Sequence, residues 1–451
     1  MKKYSFNIGT FRGGIHPEND GKHLSCNAPI RTAPLFDHYN IILQQNIGAA
    51  PKWTVNAGDS VKKGQLIAEA GGFVSAPVHA PTSGIVEKIE KHNDPSGMTL
   101  EVLTIKSDML DEAVPNLPGI DWREAPVEEL KKRIADCGIV GMGGAAFPTT
   151  VKLTVPEDKK ITDLIINGAE CEPYLTADHR LMVECPEKIL IGASIMARIL
   201  GIENVHIGVE LNKIDGINAL IEHNKPYNVN IIGLEVQYPQ GAEKQLIYAV
   251  TKRRVPAGGL PMDAGAVVQN IATAAAVAEA VTEGKPLYER ITTVTGEAVK
   301  TPGNWRVRIG TPLTELLKLA DGITEEPAKI ILGGPMMGLS LRSLDSSVRK
   351  NSGGLLLLPS STVKQYHSAS CIRCGKCLDS CPMHLNPSFL GTVIENEKFD
   401  LALKNNVMDC IECGACAYIC PAHRPLVQHI RRAKNEIRLQ AAAQKSAENK
   451  Q

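Results

Sequence analysis

The chain has 451 residues, room for about three domains, and its 49 Lys and Arg balance 49 Asp and Glu to a formal charge of zero. Without a basic excess it lacks the drive for phosphate-backbone binding, which sets nucleic acid aside as a partner. Hydrophobic residues at 43% exclude wholesale disorder, and the most apolar long stretch, Ala264 to Val281, is broken by Gln269, Asn270 and Glu279, so no spanning helix is expected.

Aromatic residues are only 4%, so the cores must be aliphatic. No apolar segment opens the chain, and a cytoplasmic location is expected. Residues 1–40 read as an irregular extension with Gly13-Gly14-Ile15-His16-Pro17. Residues 41–106 carry short β-like runs at Trp53–Val55, Gln65–Ala68, Gly84–Ile89 and Leu100–Ile105, punctuated by Gly58-Asp59 and Lys63-Gly64. This region resembles a lipoyl-type barrel-sandwich. No lysine occurs between Lys63 and Lys88, where that family places its modified lysine, so a structural module is expected.

From about 120 the pattern alternates. Val127 to Cys137 reads as a helix stopped by Gly138. Helix-like stretches at Pro186–Leu200, Lys213–His223, Gly241–Thr251 and Gln269–Glu283 alternate with apolar runs at Asp163–Ile166, Val205–Val209 and Val229–Ile232. Such alternation predicts a parallel sheet with covered faces over 120–287. Strands at Ile291–Thr295, Trp305–Ile309 and Lys329–Leu332 with a helix at Thr311–Ala320 predict a small α+β module over 288–345. Ser343–Thr362 reads as a Ser-rich linker, 363–430 as a cysteine-rich domain, and 431–451 as a polar, solvated helical tail.

Within the α/β region, Gly141-Met142-Gly143-Gly144-Ala145-Ala146-Phe147-Pro148 packs three glycines into four positions. Consecutive amides in such a loop form a nest for phosphate. Pro148 is placed to open a helix whose N-terminus adds positive potential, and Lys152 follows one turn later. The next strand ends in Asn167-Gly168-Ala169-Glu170-Cys171-Glu172, polar groups suited to hydroxyl-rich ligands at the carboxyl end of a parallel sheet. Tyr238-Pro239-Gln240-Gly241-Ala242-Glu243 and Gln269-Asn270-Ile271-Ala272-Thr273 are two further polar clusters at element junctions.

Of twelve cysteines, eight fall between 371 and 420. Cys371, Cys374, Cys377 and Cys381 precede Pro382; Cys410, Cys413, Cys416 and Cys420 precede Pro421. Both quartets read C-x2-C-x2-C-x3-C-P, which resembles the bacterial two-cluster ferredoxin run. A zinc site would use paired C-x2-C knuckles instead. The ferredoxin resemblance implies two 4Fe–4S clusters with crossed ligation: Cys371, Cys374 and Cys377 with Cys420, and Cys410, Cys413 and Cys416 with Cys381.

In this order, the G-x-G-G-A-x-F-P loop, the N-x-x-E-x-E-P strand end, the Y-x-x-G-x-E loop and the N-x-x-T helix start resemble the flavin-bearing, NADH-oxidising subunit of respiratory complex I. With the N-terminal Gly-Gly-Ile-His-Pro, the barrel-sandwich and the cysteine repeat, nearly the whole chain resembles the RnfC subunits of Rnf ion-translocating electron transport complexes. That resemblance implies a multidomain α/β protein with a barrel-sandwich, a parallel-sheet FMN/NADH-binding domain, a β-grasp (soluble-ligand-binding) module and an α-helical two-cluster ferredoxin domain.

It also implies roles. Gly141, Gly143, Gly144 and Lys152 would cradle FMN, and Asn167, Glu170, Gln269, Asn270 and Thr273 would line its ribityl and phosphate path. Tyr238, Gly241 and Glu243 would line the ring pocket, and Phe147, Glu172 and Glu243 would receive NADH. Ala169 and Ala242 stand where the complex I subunit carries acidic residues, and Gln269 replaces an asparagine. A flavin exchanges hydride with NAD(H) and single electrons with clusters, so no side-chain acid, base or nucleophile is expected. The implied partners are the other subunits of a membrane complex and, indirectly, ferredoxin, with the chain peripheral on the cytoplasmic face. A microcompartment-type cobalamin reductase, or a flavin-free electron-transfer adaptor, is the alternative.

Overall fold

The computed structural model describes residues 8–363 and 366–448; the expectations for the first seven and last three residues lie outside it. Strand β1 (Ile30–Thr32) is followed by β2 (His38–Ile42), β3 (Lys52–Trp53), β4 (Ser60–Val61), β5 (Leu66–Glu69), β6 (Val78–His79), β7 (Gly84–Asn93) and β8 (Thr99–Ser107). Strands β2 to β8 form two small sheets, ordered β2-β8-β7-β4 and β3-β5-β6. They enclose an aliphatic core around Tyr39, Ile41, Ile67 and Leu103.

The α/β region contains α1 (Val127–Asp136), α2 (Thr149–Leu153), β9 (Asp163–Gly168), α3 (Ala177–Glu184), α4 (Pro186–Leu200), β10 (Asn204–Glu210), α5 (Ile214–His223), β11 (Asn230–Leu234), α6 (Glu243–Thr251), β12 (Ala266–Asn270) and α7 (Ile271–Thr282). The sheet order is β11-β10-β9-β12 and every pairing is parallel. A helix start at Gln269 is corrected: Gln269 and Asn270 end β12, which pairs Gln269 with Ile166 and Asn270 with Asn167. Ala266–Val281 is mostly apolar, and a short buried strand runs straight into a buried helix with no turn between them, so Gln269 and Asn270 read as well as a helix start as a strand end. Nearly every residue of α7 is buried, and this helix packs on α4 in the largest core.

Then come β13 (Glu289–Thr295), β14 (Gly303–Arg308), α8 (Leu313–Lys318), β15 (Pro327–Leu332), β16 (Leu339–Leu341) and β17 (Gly354–Pro359). The six-stranded sheet is ordered β1-β14-β13-β17-β15-β16. Two expectations change here. The linker at 343–362 holds β17, a central strand flanked by β13 and β15. The N-terminal extension supplies β1, an edge strand parallel to β14. Both are non-local pairings: four leucines between polar segments, or three residues in a coil-like stretch, carry no periodicity of their own.

The last region is helical: α9 (Lys376–Asp379), α10 (Pro387–Glu395), α11 (Phe399–Lys404), α12 (Ala415–Tyr418) and α13 (Leu426–Glu448). The solvated tail expected from 431 is also corrected at its start. Ala433 and Lys434 of α13 are buried, and the Lys434 ammonium donates to the Cys410 carbonyl at 2.7 Å. Among the described residues no helix is long and apolar enough to cross a membrane.

Candidate flavin and iron–sulfur sites

Parallel strands β9 and β12 both carry asparagine near their ends, Asn167 one residue before the end of β9 and Asn270 at the end of β12. The glycine loop lies over this end. The Gly141 amide donates to the Phe147 carbonyl at 2.8 Å, which closes the loop on itself. The Met142 amide donates to the Thr273 hydroxyl at 2.9 Å. Two loop carbonyls are tied from behind: Met142 by the Arg290 guanidinium at 3.4 Å and Gly144 by the Asn351 amide at 3.0 Å. Among the described residues the N–H groups of Gly143, Gly144 and Ala145 have no partner, and all three residues are exposed. A loop whose carbonyls are held inward and whose amides face out is a cradle for an anion.

The Asn270 side chain caps α7, accepting from Ala272 N at 2.8 Å, and donates to Asp178 at 2.7 Å. A Cβ on Gly143 would stand 2.6 Å from the Asn270 amide nitrogen, so only glycine lets the loop pass there. The twelve-residue α7 therefore sets its positive end against the cradle. The helix after Pro148 does not supply that field, because α2 has only five residues.

Lys152 reaches the same mouth. Its ammonium donates to Glu243 at 2.8 Å and to the Val268 carbonyl at 3.1 Å. Asn167 donates to the Gly241 carbonyl at 2.8 Å, which brings the Tyr238–Glu243 loop onto the strand end. Phe147 is half-buried beside the cradle. Gln269 is buried, and its amide nitrogen finds no partner among the described residues.

Three expected ligand residues are already engaged. Glu170, at φ +44, accepts the Asp178 and His179 amides at 2.7 and 3.0 Å and so opens α3. Glu172 accepts the Met336 and Met337 amides at 3.1 and 2.9 Å, and its burial pushes the carboxyl up to about 7. Tyr238 is buried and donates its hydroxyl to the Cys413 carbonyl at 2.7 Å, toward the cysteine region. Asp178, Arg290 and Asn351 belong to this site although sequence reasoning passed over them. Asp178, six residues beyond Glu172 at the start of a helix, is the one with a local signal; its carboxyl is pushed up by burial and by the charge of Glu170.

The eight repeat cysteines line two cavities. One is bounded by Cys371, Cys374, Cys377 and Cys420, the other by Cys381, Cys410, Cys413 and Cys416. Gly375 and Gly414, at φ +79 and +83, turn the two loops into the short helices α9 and α12. Among the described residues no three ligating side chains close on a single ion; four thiols spread around a cavity suit a cube of four irons. Burial raises the thiols of the second set, Cys413 to about 12. Such thiols give up their protons only to a strong cationic partner, which iron supplies. In the first set, Cys371 and Cys374 are exposed.

Comparison with known proteins decides the family. Residues 134–279 match the Nuo51 FMN-binding domain, 9–110 the RnfC barrel sandwich hybrid domain, 291–340 the SLBB domain and 364–421 the 4Fe-4S dicluster domain. The chain is 47% identical, over 97% of its own length and 96% of the relative's, to a subunit of the proton-translocating ferredoxin:NAD(+) oxidoreductase complex of Clostridium ljungdahlii. The chain belongs to the RnfC family of ion-translocating oxidoreductase subunits. A second member, from the Na(+)-translocating ferredoxin:NAD(+) oxidoreductase complex of Acetobacterium woodii, is 44% identical over 95% of this chain and 97% of its own. A third, from the ion-translocating oxidoreductase complex of Rhodobacter capsulatus, is 45% identical over 96% and 83%. The expected multidomain architecture, with a barrel-sandwich, an FMN-binding α/β domain and a two-cluster iron–sulfur domain, is thereby established.

Proposed function

We infer that this chain is the NAD(H)-interacting electron-transfer subunit of a membrane-bound ferredoxin–NAD oxidoreductase complex, with FMN in the glycine cradle and a 4Fe–4S cluster in each cysteine cavity. The observation that carries this reading is the junction between the two regions. Ile15, Tyr238, Cys413 and Ala415 form one buried cluster, with Cys171 and Met336 packed against it. The cavity lined by Cys413 therefore adjoins the Tyr238–Glu243 loop, which Asn167 ties to the strand end, while Cys371 and Cys374 of the other cavity are exposed. The first is the proximal cluster and the second the distal one.

The donor sets fit both groups. Outward amides, Lys152 and the α7 N-terminus would hold a phosphate, and the asparagines at the strand ends would take hydroxyls. When bound, FMN supplies the exchange between hydride and single electrons. The chain's own part is to orient and to exclude water. Asn270 and Asp178 fix the cradle, Tyr238 holds the cluster loop, and the apolar junction keeps the gap between them dry. No proton donor of the chain is needed. Glu243, at the mouth beside Lys152, is the carboxylate best placed for NADH, with Phe147 beside it. Glu172 binds the nucleotide only if the Met336–Met337 amides let it go.

The partners are the other subunits of the complex. We place the chain on the cytoplasmic face, where NADH is found, attached by surface contact. The test is the visible spectrum before and after acid release of cofactor, joined to stopped-flow bleaching by NADH. FMN in the supernatant, with flavin and then cluster bleaching, is expected; clusters without releasable flavin would reduce the chain to a one-electron adaptor.

A further inference from the structure

The segment before β1 looks like coil, yet it touches both the flavin-binding region and the cysteine repeats. At its start Gly9 pairs with the end of β11, its amide donating to Gly233 O at 2.9 Å and its carbonyl accepting from Glu235 N at 3.0 Å. Ile15 then pairs with Tyr238 in both directions, at 2.8 and 2.9 Å. Between them the Gly14 amide donates to the Ser380 carbonyl at 2.9 Å, one residue before the proximal ligand candidate Cys381. The Glu18 amide donates to the Tyr418 hydroxyl, on the other repeat, at 3.3 Å. The segment ends at the flavin side. Buried Lys22 donates to the carbonyls of Glu170, Glu172 and Leu175 at 2.8, 2.8 and 2.6 Å, and Ser25 bonds Thr176 at 2.7 Å.

The sequence of this segment is constrained by those contacts. Gly14 has φ +80, and a Cβ there would lie 2.6 Å from the Tyr238 carbonyl. Gly13 has φ +96, and a Cβ there would lie 2.9 Å from the Cys381 carbonyl. Both glycines allow three main chains to meet at the edge of the proximal cavity. Lys22 directs three donors from one nitrogen to three carbonyls of the loop that follows β9, a convergence that suits an ammonium and not a planar guanidinium.

We propose that residues 9–25 are a positioning strap that sets the spacing between the flavin cradle and the proximal cluster, with Gly14 as its cluster-side anchor and Lys22 as its flavin-side anchor. The strap acts on the reaction through the loops it holds. The proposal rests on the cofactor placement inferred above, since a strap between two empty cavities would set nothing.

The test uses the full chain as Gly14→Ala and as Lys22→Met, each beside the wild type. FMN and iron are counted first, then flavin bleaching and cluster bleaching by NADH are timed separately in single turnover. Both variants are expected to bleach flavin at the wild-type rate and clusters several-fold more slowly, because an electron passes less readily as the gap between the two centres widens. Amide hydrogen exchange is measured in parallel, with and without cofactors. Faster exchange is expected in peptides spanning 236–240 and 378–384 for Gly14→Ala, and 170–176 for Lys22→Met, with β13 and β17 unchanged. Exchange needs no cofactor, so it decides even where a variant loses iron. Wild-type exchange in those peptides, or wild-type cluster bleaching in both loaded variants, overturns the strap. Failure of the wild type itself to bleach flavin overturns the cofactor placement instead.

Discussion

The Tyr238 hydroxyl donates to the Cys413 carbonyl at 2.7 Å, across a separation of 175 residues. This one bond joins the loop beside the flavin cradle to the loop that lines the proximal cavity. A parallel tie runs from the Gln245 amide to the Pro382 carbonyl at 3.1 Å. The flavin and cluster regions are thus packed together, and the chain between them, with β17 in a central sheet position, is no free tether.

Tyr238→Phe keeps the ring and removes the donor, leaving a buried carbonyl unsatisfied at a cost of about 1–3 kcal/mol. Iron and FMN content should stay at the wild-type level. The loop around Cys413 should loosen, so iron should be lost to a chelator several-fold faster. Unchanged chelation kinetics would show that the bond does not hold the loop.

The order of the two cavities makes two cysteine variants unequal. Cys413→Ser and Cys374→Ser should each lower the iron content from about eight to about four per chain, the content of one cube. NADH should still bleach flavin in both. The remaining cluster should be reduced promptly in Cys374→Ser and hardly at all in Cys413→Ser. The reverse pattern would exchange the proximal and distal assignments.

The Lys152 ammonium lies 2.8 Å from Glu243. Lys152→Ala should weaken FMN retention by about 10–150-fold, the equivalent of one charge-assisted contact of about 1.5–3 kcal/mol. Glu243→Ala should instead leave FMN bound and weaken NADH. Flavin fluorescence during dilution and NADH titration separate the two.

Lys350 is fully buried, and its ammonium reaches the carbonyls of Pro77 and Gly138 at 2.7 and 2.8 Å, joining the barrel-sandwich to the α/β domain. Burial lowers its pKa from 10.5 to about 7. Between those values the unfolded chain binds the proton that the folded chain releases, so this group's contribution to stability rises with pH from about 7 and levels off near 10.5. Below pH 7 the penalty is complete and constant. Urea midpoints of wild type and Lys350→Met, compared at pH 7.5 and 9.5, should shift in favour of the wild type as pH rises, by up to about 1.4 kcal/mol per pH unit. Parallel pH curves would show that Lys350 does not change protonation in that range.

The attachment to the complex proposed above is through polar surface contacts. Such contacts are screened by salt. A high-salt or mild chaotropic wash of membranes should therefore release it with clusters intact. Recovery only in detergent would contradict attachment by surface contact.

Much of the chemistry is readable from local spacing. The glycine loop closes on itself, the asparagines lie near the strand ends and the eight cysteines line two cavities. What escaped is non-local. Gln269 read as helix because β12 passes into α7 with no turn between them. Glu170 and Glu172 read as open ligands, since no local pattern shows that α3 and the Met336–Met337 turn take up their oxygens. Arg290 and Asn351, which hold the cradle loop from behind, are single polar residues in segments with no motif.

By itself the sequence determined the cofactor chemistry and the order of the modules, because thiolate spacing, glycine runs and helix starts act over a few residues. Tertiary structure alone decided which cysteine set packs against the Tyr238 loop, that the serine-rich stretch holds a central strand, and that an irregular N-terminal segment contacts both regions. The physical reason is range. A nest or a ligand loop is made by neighbours in the chain, whereas the Tyr238–Cys413 bond, the β13–β17 pairing and the Lys22 carbonyl cage form only when distant segments are packed together.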